Sequence, residues 1–154
     1  MKAPVYRRMF GYDTARLPNA HLASLEQGVT CIEEAKAKTG LTIGYPGWGV
    51  LYHLLLAHLD RAREEVIIET GSNYGCTTII LAQALCDAGC RGRVISIELD
   101  ADNAARARKN LELAGLAGHA EVRVGDSRAV LPDVVAQRQG IRAVFLDASH
   151  LDDD

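Results

Sequence analysis

Four acidic residues stand at or beside the ends of short apolar runs. Glu69 opens Glu69-Thr70-Gly71-Ser72-Asn73-Tyr74-Gly75 after Val66-Ile67-Ile68, and Glu98 follows Val94-Ile95-Ser96-Ile97. Gly125-Asp126-Ser127 follows Ala120-Glu121-Val122-Arg123-Val124, and Asp147 follows Ala143-Val144-Phe145-Leu146. Carboxylates gathered at one sheet edge repel each other and cost stability unless they face polar or cationic groups. Such a cluster therefore calls for a ligand that brings hydroxyls or a positive charge. His150, three positions after Asp147, titrates near neutrality and could take a proton from an acceptor hydroxyl. An exposed loop position is the plainer reading of it.

The glycines allow chemistry of their own. Gly71 and Gly75 let the backbone turn tightly and pass close to a ligand that a Cβ would block. The first N–H groups of a helix starting near Cys76 would point into the same cleft. A tight strand-to-helix turn with no ligand explains the same two glycines. Their G-x-x-x-G spacing is not the dinucleotide fingerprint, and no Lys-Ser/Thr follows to make a phosphate-cradling loop. Glu98 follows Gly75 by 23 positions, close to the offset at which a carboxylate accepts from ribose hydroxyls. Glu69 puts negative charge where a pyrophosphate would sit, which suits an amino acid's ammonium instead. Glu98 can equally be a helix-entry charge. Asp126 can be an N-cap as readily as a contact to a base, and the two roles coexist.

The elements that must hold these residues follow from periodicity. The apolar runs begin at 66, 94, 120 and 143, and each gap between them holds a helical pattern. The clearest is Ala104, Ala107, Leu111 and Ala114, entered through Asp100 and Asp102 and stopped by Gly115. This alternation predicts right-handed βαβ units, an α/β fold and a parallel sheet, with ligands beyond the C-terminal strand ends. Residues 1–60 read as a helical entry segment and 61–154 as the strand-bearing part of a single domain. In the entry, Leu22, Leu25, Val29 and Ile32 predict one amphipathic helix stopped by Gly40. A loop over 42–49 leads to a second stripe, Leu51, Leu54, Leu55 and Leu59. Tyr45 and Trp48 read as packing aromatics, and Pro46 as a loop device.

The order Glu69-x-Gly71-x-x-x-Gly75, Glu98, Gly125-Asp126-Ser127 and Phe145-Leu146-Asp147 resembles the class I S-adenosylmethionine-dependent methyltransferases. The nearest branch is that of small-molecule O-methyltransferases and cephalosporin-hydroxylase-like proteins, and the resemblance covers about residues 40–150. It implies a Rossmann-like three-layer sandwich, of which residues 61–154 form the cofactor-binding half. It also implies that Glu69 and Gly71, Ser72, Asn73, Tyr74 and Gly75 hold the methionine part of the cofactor and that Glu98 holds the ribose. Asp126 and Ser127 would border the adenine, and Asp147 would face the methyl group and a small-molecule acceptor. Asp147 would act there as base or, as in some relatives, as ligand of a divalent metal such as Mg²⁺. Asp152, Asp153 and Asp154 read as solvated surface. The resemblance implies a seven-stranded sheet in order 3-2-1-4-5-7-6, whereas four strands can be counted here. An unpaired fourth strand is an aggregation hazard, so the chain reads as truncated, or as a short form that covers this edge as a homodimer. The function implied is methyl transfer to a small-molecule oxygen. The alternatives are a nicotinamide-dependent oxidoreductase, disfavoured by the glycine spacing and Glu69, and a catalytically silent module that binds a nucleoside cofactor.

Bulk properties narrow the field. The 154 residues, 48% hydrophobic and 24% charged, suit one globular domain. No apolar run approaches the ~18 residues of a membrane helix, and the first residues lack a signal peptide's apolar core. A soluble cytoplasmic protein with no membrane partner is expected. A net charge of −3 without a basic face argues against a nucleic-acid partner, and Arg106, Arg108 and Lys109 read as a solvated helix face. The cysteines at 31, 76, 86 and 90 match no zinc spacing, and Cys86 and Cys90 read as two small buried residues at a helix end. A reducing compartment suits them.

Overall fold

The strands are apolar on both sides. Val66 and Ile68 point one way and Ile67 the other in β1 (Glu64–Thr70), as do Ile95 and Ile97 against Val94 in β2 (Arg91–Glu98), and all are buried. Such strands need a sheet covered on both faces. The computed structural model describes residues 17–27, 29, 32–40 and 47–148. There β1 and β2 join β3 (Ala120–Val124) and β4 (Ile141–Leu146) in a fully parallel sheet of order β3-β2-β1-β4. Glu69 lies beside Ser96 on one side and Phe145 on the other. The chain steps outward from β1 to β3 and then returns to the opposite side of β1. The crevice above β1 and β4 is therefore the switch point at which open α/β sheets bind ligands.

Helices α1 (Ala20–Glu26), α2 (Ile32–Thr39) and α3 (Gly47–His58) precede β1. The three crossovers carry α4 (Cys76–Asp87), α5 (Ala101–Leu113) and α6 (Ser127–Ala136). One face of the sheet packs Ile67 and Val94 against Ile79, Ile80 and Leu81 of α4, with Leu22, Trp48 and Leu111 in the same cluster. The entry helices and the strands thus share a core. The other face packs Val66, Ile68, Ile95 and Ile97 against Val134 of α6. No described helix covers that side of β4, and Val144 and Leu146 are 49% and 63% exposed.

Three expectations change. The predicted entry helix is two helices. Asn19 caps α1 by accepting from the amides of His21 and Leu22, and the helix ends where Gln27 turns extended. The intervening Gly28-Val29-Thr30 combines a glycine with two β-branched residues, all poor helix formers. Val29 is nevertheless buried, so the apolar spacing is real although the helix is not continuous. In α3 the buried stripe is Trp48 and Leu55, with Leu51 and Leu59 packed beside them, while Leu54 faces out. Cys90 is buried but Cys86, on the outer side of α4, is exposed. Tyr45 and Pro46 lie outside the described residues. No described helix is long and apolar enough to cross a membrane.

Candidate active site

Glu69 is fully buried where β1 ends. Its Oε2 accepts from the Thr78 hydroxyl of α4 at 2.6 Å and from the Ser96 hydroxyl of β2 at 2.5 Å. Its Oε1 is buried without a hydrogen-bond partner. Burial pushes the carboxyl up to about 7, and the charges of Asp147 and Glu98 add to the rise, while the two hydroxyls pull the other way. The acid is therefore poised between its neutral and ionised forms. Ser72 Oγ, in the loop that follows, is likewise buried and unpartnered.

The loop is built by the protein's own packing. Gly71 has φ +83°, and a Cβ there would overlap the Asp147 carbonyl oxygen. The Gly71 amide donates to the Ile97 carbonyl, and the Asp147 amide to that of Thr70. Gly75 has φ +84°, and a Cβ there would press on Ala107 of α5 at 3.0 Å. Both glycines thus meet the protein's own atoms, those of the segment that follows β4 at Gly71 and of α5 at Gly75. Asn73 is the one described non-glycine residue at positive φ, 47°. Its amide donates to Glu98 Oε2 at 2.7 Å, and that of Asp100 donates to Glu98 Oε1 at 3.0 Å. Glu98 consequently fastens the loop to the entry of α5, whichever ligand it also meets. Each of its oxygens keeps an acceptor lone pair.

Tyr74 is held from α5. Its carbonyl accepts from Asn110 Nδ2 at 2.8 Å, and its ring lies under the Arg106 guanidinium at 3.8 Å. Arg108 donates to the Val122 carbonyl at 2.7 Å. The basic cluster on α5 is therefore exposed, as expected, but two of its members are tied to neighbouring elements.

Asp126 caps α6 by accepting from the Arg128 amide, and its carboxylate pairs with the Arg128 guanidinium at 2.9 Å. That side-chain bond, with the backbone one, holds its carboxyl below the usual range. The N-cap role is present; Ser127, half-buried, begins the helix. Asp147 follows β4 and is half-buried, near enough to Glu69 to raise its pKa. Of the four strand-end carboxylates, Glu69, Glu98 and Asp147 gather and Asp126 turns to its own arginine. His150 lies outside the described residues. Among the described residues no three His, Cys, Asp or Glu side chains come together to hold a metal. Sequence patterns do not single out Thr78 and Ser96. The available signal is Ser96 itself, a hydroxyl interrupting a run that is otherwise apolar on both faces.

The family of methyltransferase domains matches residues 68–154. A catechol O-methyltransferase of Niastella koreensis is 38% identical over 95 residues, which are 61% of this chain and 41% of that protein. One of Mycobacterium tuberculosis is 38% identical over 94 residues, 61% of this chain and 40% of its own. The chain thus spans about two fifths of the length of these relatives. Among solved structures, an O-methyltransferase of Bacillus cereus in complex with SAH superposes with a TM-score of 0.65 at 26% identity, covering 84% of this chain and 55% of that one. An O-methyltransferase of Streptomyces achromogenes involved in tomaymycin synthesis, in complex with SAM, gives 0.65 at 28% identity, covering 84% and 54%.

Proposed function

The chain belongs to the methyltransferase-domain family, and from that premise we propose that its crevice binds S-adenosylmethionine for transfer of a methyl group to an oxygen of a small molecule. The observation that carries the reading is Glu69 Oε1, an acceptor buried without a partner beside the glycine loop. A buried, unmatched carboxylate oxygen costs stability unless something donates to it, and the ammonium of the cofactor's methionine end is such a donor. Ser72 Oγ, buried and unpartnered, offers a second contact. Helix α4 begins at Gly75 with no side-chain cap, leaving its first amides to the methionine carboxylate. Glu98 uses its remaining lone pairs for the ribose hydroxyls, and Asp126 and Ser127 border the adenine.

The bound cofactor supplies a methyl group activated by its sulfonium for in-line displacement. The protein's part is alignment and a shielded electrostatic site. The glycine loop and Glu98 fix the cofactor's long axis, and Asp147, at the end of β4, accepts the proton of the acceptor hydroxyl. The relatives named for catechol substrates support a small hydroxylated acceptor, and the cysteine pattern a reducing, cytoplasmic setting.

Calorimetric titration with S-adenosylmethionine, S-adenosylhomocysteine and NAD, with and without Mg²⁺, tests the reading. Micromolar binding of the first two and none of NAD is expected, with Glu98→Ala weakening both. Binding of NAD alone, or unchanged affinity in Glu98→Ala, would overturn the assignment of the site.

A further inference from the structure

The glycine loop touches the entry helices as well as the strands. Gly40, directly after α2, has φ +72°, and a Cβ there would lie 2.5 Å from Asn73 Oδ1. The Arg106 guanidinium that covers the Tyr74 ring also donates through Nη2 to the Ala37 carbonyl of α2 at 2.9 Å. One turn further along α5, Asn110 donates to the Tyr74 carbonyl. The Oδ1 of the same amide faces His21 Nε2 of α1 at 3.1 Å. Because the Asn110 nitrogen is given to Tyr74, its oxygen must accept, so His21 Nε2 carries the proton.

Arg106 and Asn110 stand four apart, on one face of α5. Each reaches the loop with one group and an entry helix with another. Arginine suits both contacts at once, because the plane of a guanidinium stacks on a ring while its edge donates, which an ammonium cannot do.

We propose that Arg106 and Asn110 are positioning residues that couple docking of α1 and α2 to the shape of the 71–75 loop, so that cofactor binding and docking of α2 strengthen each other. The inference rests on the reading of that loop as the cofactor's seat. Coupling between two sites is reciprocal: the factor by which docked α2 tightens the cofactor equals the factor by which the cofactor stabilises docking. The Ala37 carbonyl lies between Lys36 and Lys38, both exposed, so trypsin can report docking at the site of the contact.

The test follows tryptic cleavage after Lys36 and Lys38 by mass spectrometry in the full-length protein, with and without saturating S-adenosylhomocysteine. Affinity for that ligand is measured in parallel by calorimetry. The ligand is expected to slow both cleavages in the wild type. Arg106→Ala is expected to speed them about fivefold without ligand, to weaken binding about fivefold, and to lose protection by a similar factor. Arg106→Lys should fall between. A purely structural arginine would speed cleavage and lower the melting midpoint yet leave the ratio of rates with and without ligand as it was. That result, or unchanged affinity in Arg106→Ala, overturns the coupling. If the wild type binds no S-adenosylhomocysteine, the cofactor reading fails and the inference with it. Equal cleavage of ligand-free Arg106→Ala and wild type instead refutes the tie to α2 alone.

Discussion

Glu69→Gln isolates one ionisation. In the native protein the Glu69 carboxyl sits at about 7, against an ordinary value of 4.5, chiefly because burial disfavours its charged form. A folded-state pKa above the unfolded one means that the native protein holds the proton more tightly. The associated stability is full below the unfolded value and drains away as pH rises through the folded one. Between pH 5 and pH 8 this single group should cost the wild type roughly 2–3 kcal/mol. Gln mimics the neutral acid: its oxygen accepts from Thr78 and Ser96, and its amide takes the place of Oε1. Titrating groups remote from Glu69 are common to both proteins and cancel in the comparison. Urea denaturation of the two at pH 5 and pH 8 should show the variant gaining roughly 2–3 kcal/mol on the wild type across that interval. A gap that is the same at both pH values would refute the claim that Glu69 changes protonation there.

Other perturbations probe different parts of the frame. Gly71→Ala should cost about 3 kcal/mol, from the left-handed backbone and from overlap with the Asp147 carbonyl, and calorimetry should show a melting point lower by roughly 10 °C. Arg142→Met strips the buried Glu65 of a two-pronged partner, whose bonds are 2.6 and 2.9 Å long. That pairing holds Glu65 below the usual carboxylate range, so its contribution is lost as pH falls through the folded value. Thermal melts should find the variant's deficit at pH 7 shrinking in acid. Among the described cysteines, iodoacetamide should label exposed Cys86 first, whereas Cys76, buried with its thiol pushed up to about 12, should be modified only on unfolding.

Periodicity made much of this fold legible. A strand buried on both faces leaves an apolar run, and all four runs are strands. Crossover lengths then set the parallel order. The α5 helix was readable because Asp100 and the alanine stripe are local signals: Asp100 accepts from the amides of Asp102 and Asn103. The entry helices were less so, since apolar spacing continues through Val29 although the helix does not. The strand-end carboxylates were visible in the sequence, but their partners were not. Whether Glu98 meets a ribose or an amide, and whether Gly71 makes room for a ligand or for the Asp147 carbonyl, depends on elements 25 and 76 residues away. The hydroxyls of Thr78 and Ser96 converge on Glu69 only once α4 lies on the sheet. Arg106 looked like any solvated cation because its two contacts come from separate parts of the chain.

The contact between Gly71 and the Asp147 carbonyl bears on how such a pocket can change over time. On the proposed reading, the donor's seat and the floor beneath the acceptor share one stretch of touching backbone. Apart from the Asp147 carboxylate, side chains along the floor can change without pressing on Gly71, since the atoms nearest a Cβ there belong to the main chain. A residue inserted after Leu146 cannot be accommodated so easily, because it would shift the surface on which the donor loop rests. New acceptors are therefore expected to arise by substitution at this point, and changes of length to accumulate in segments that do not touch the loop.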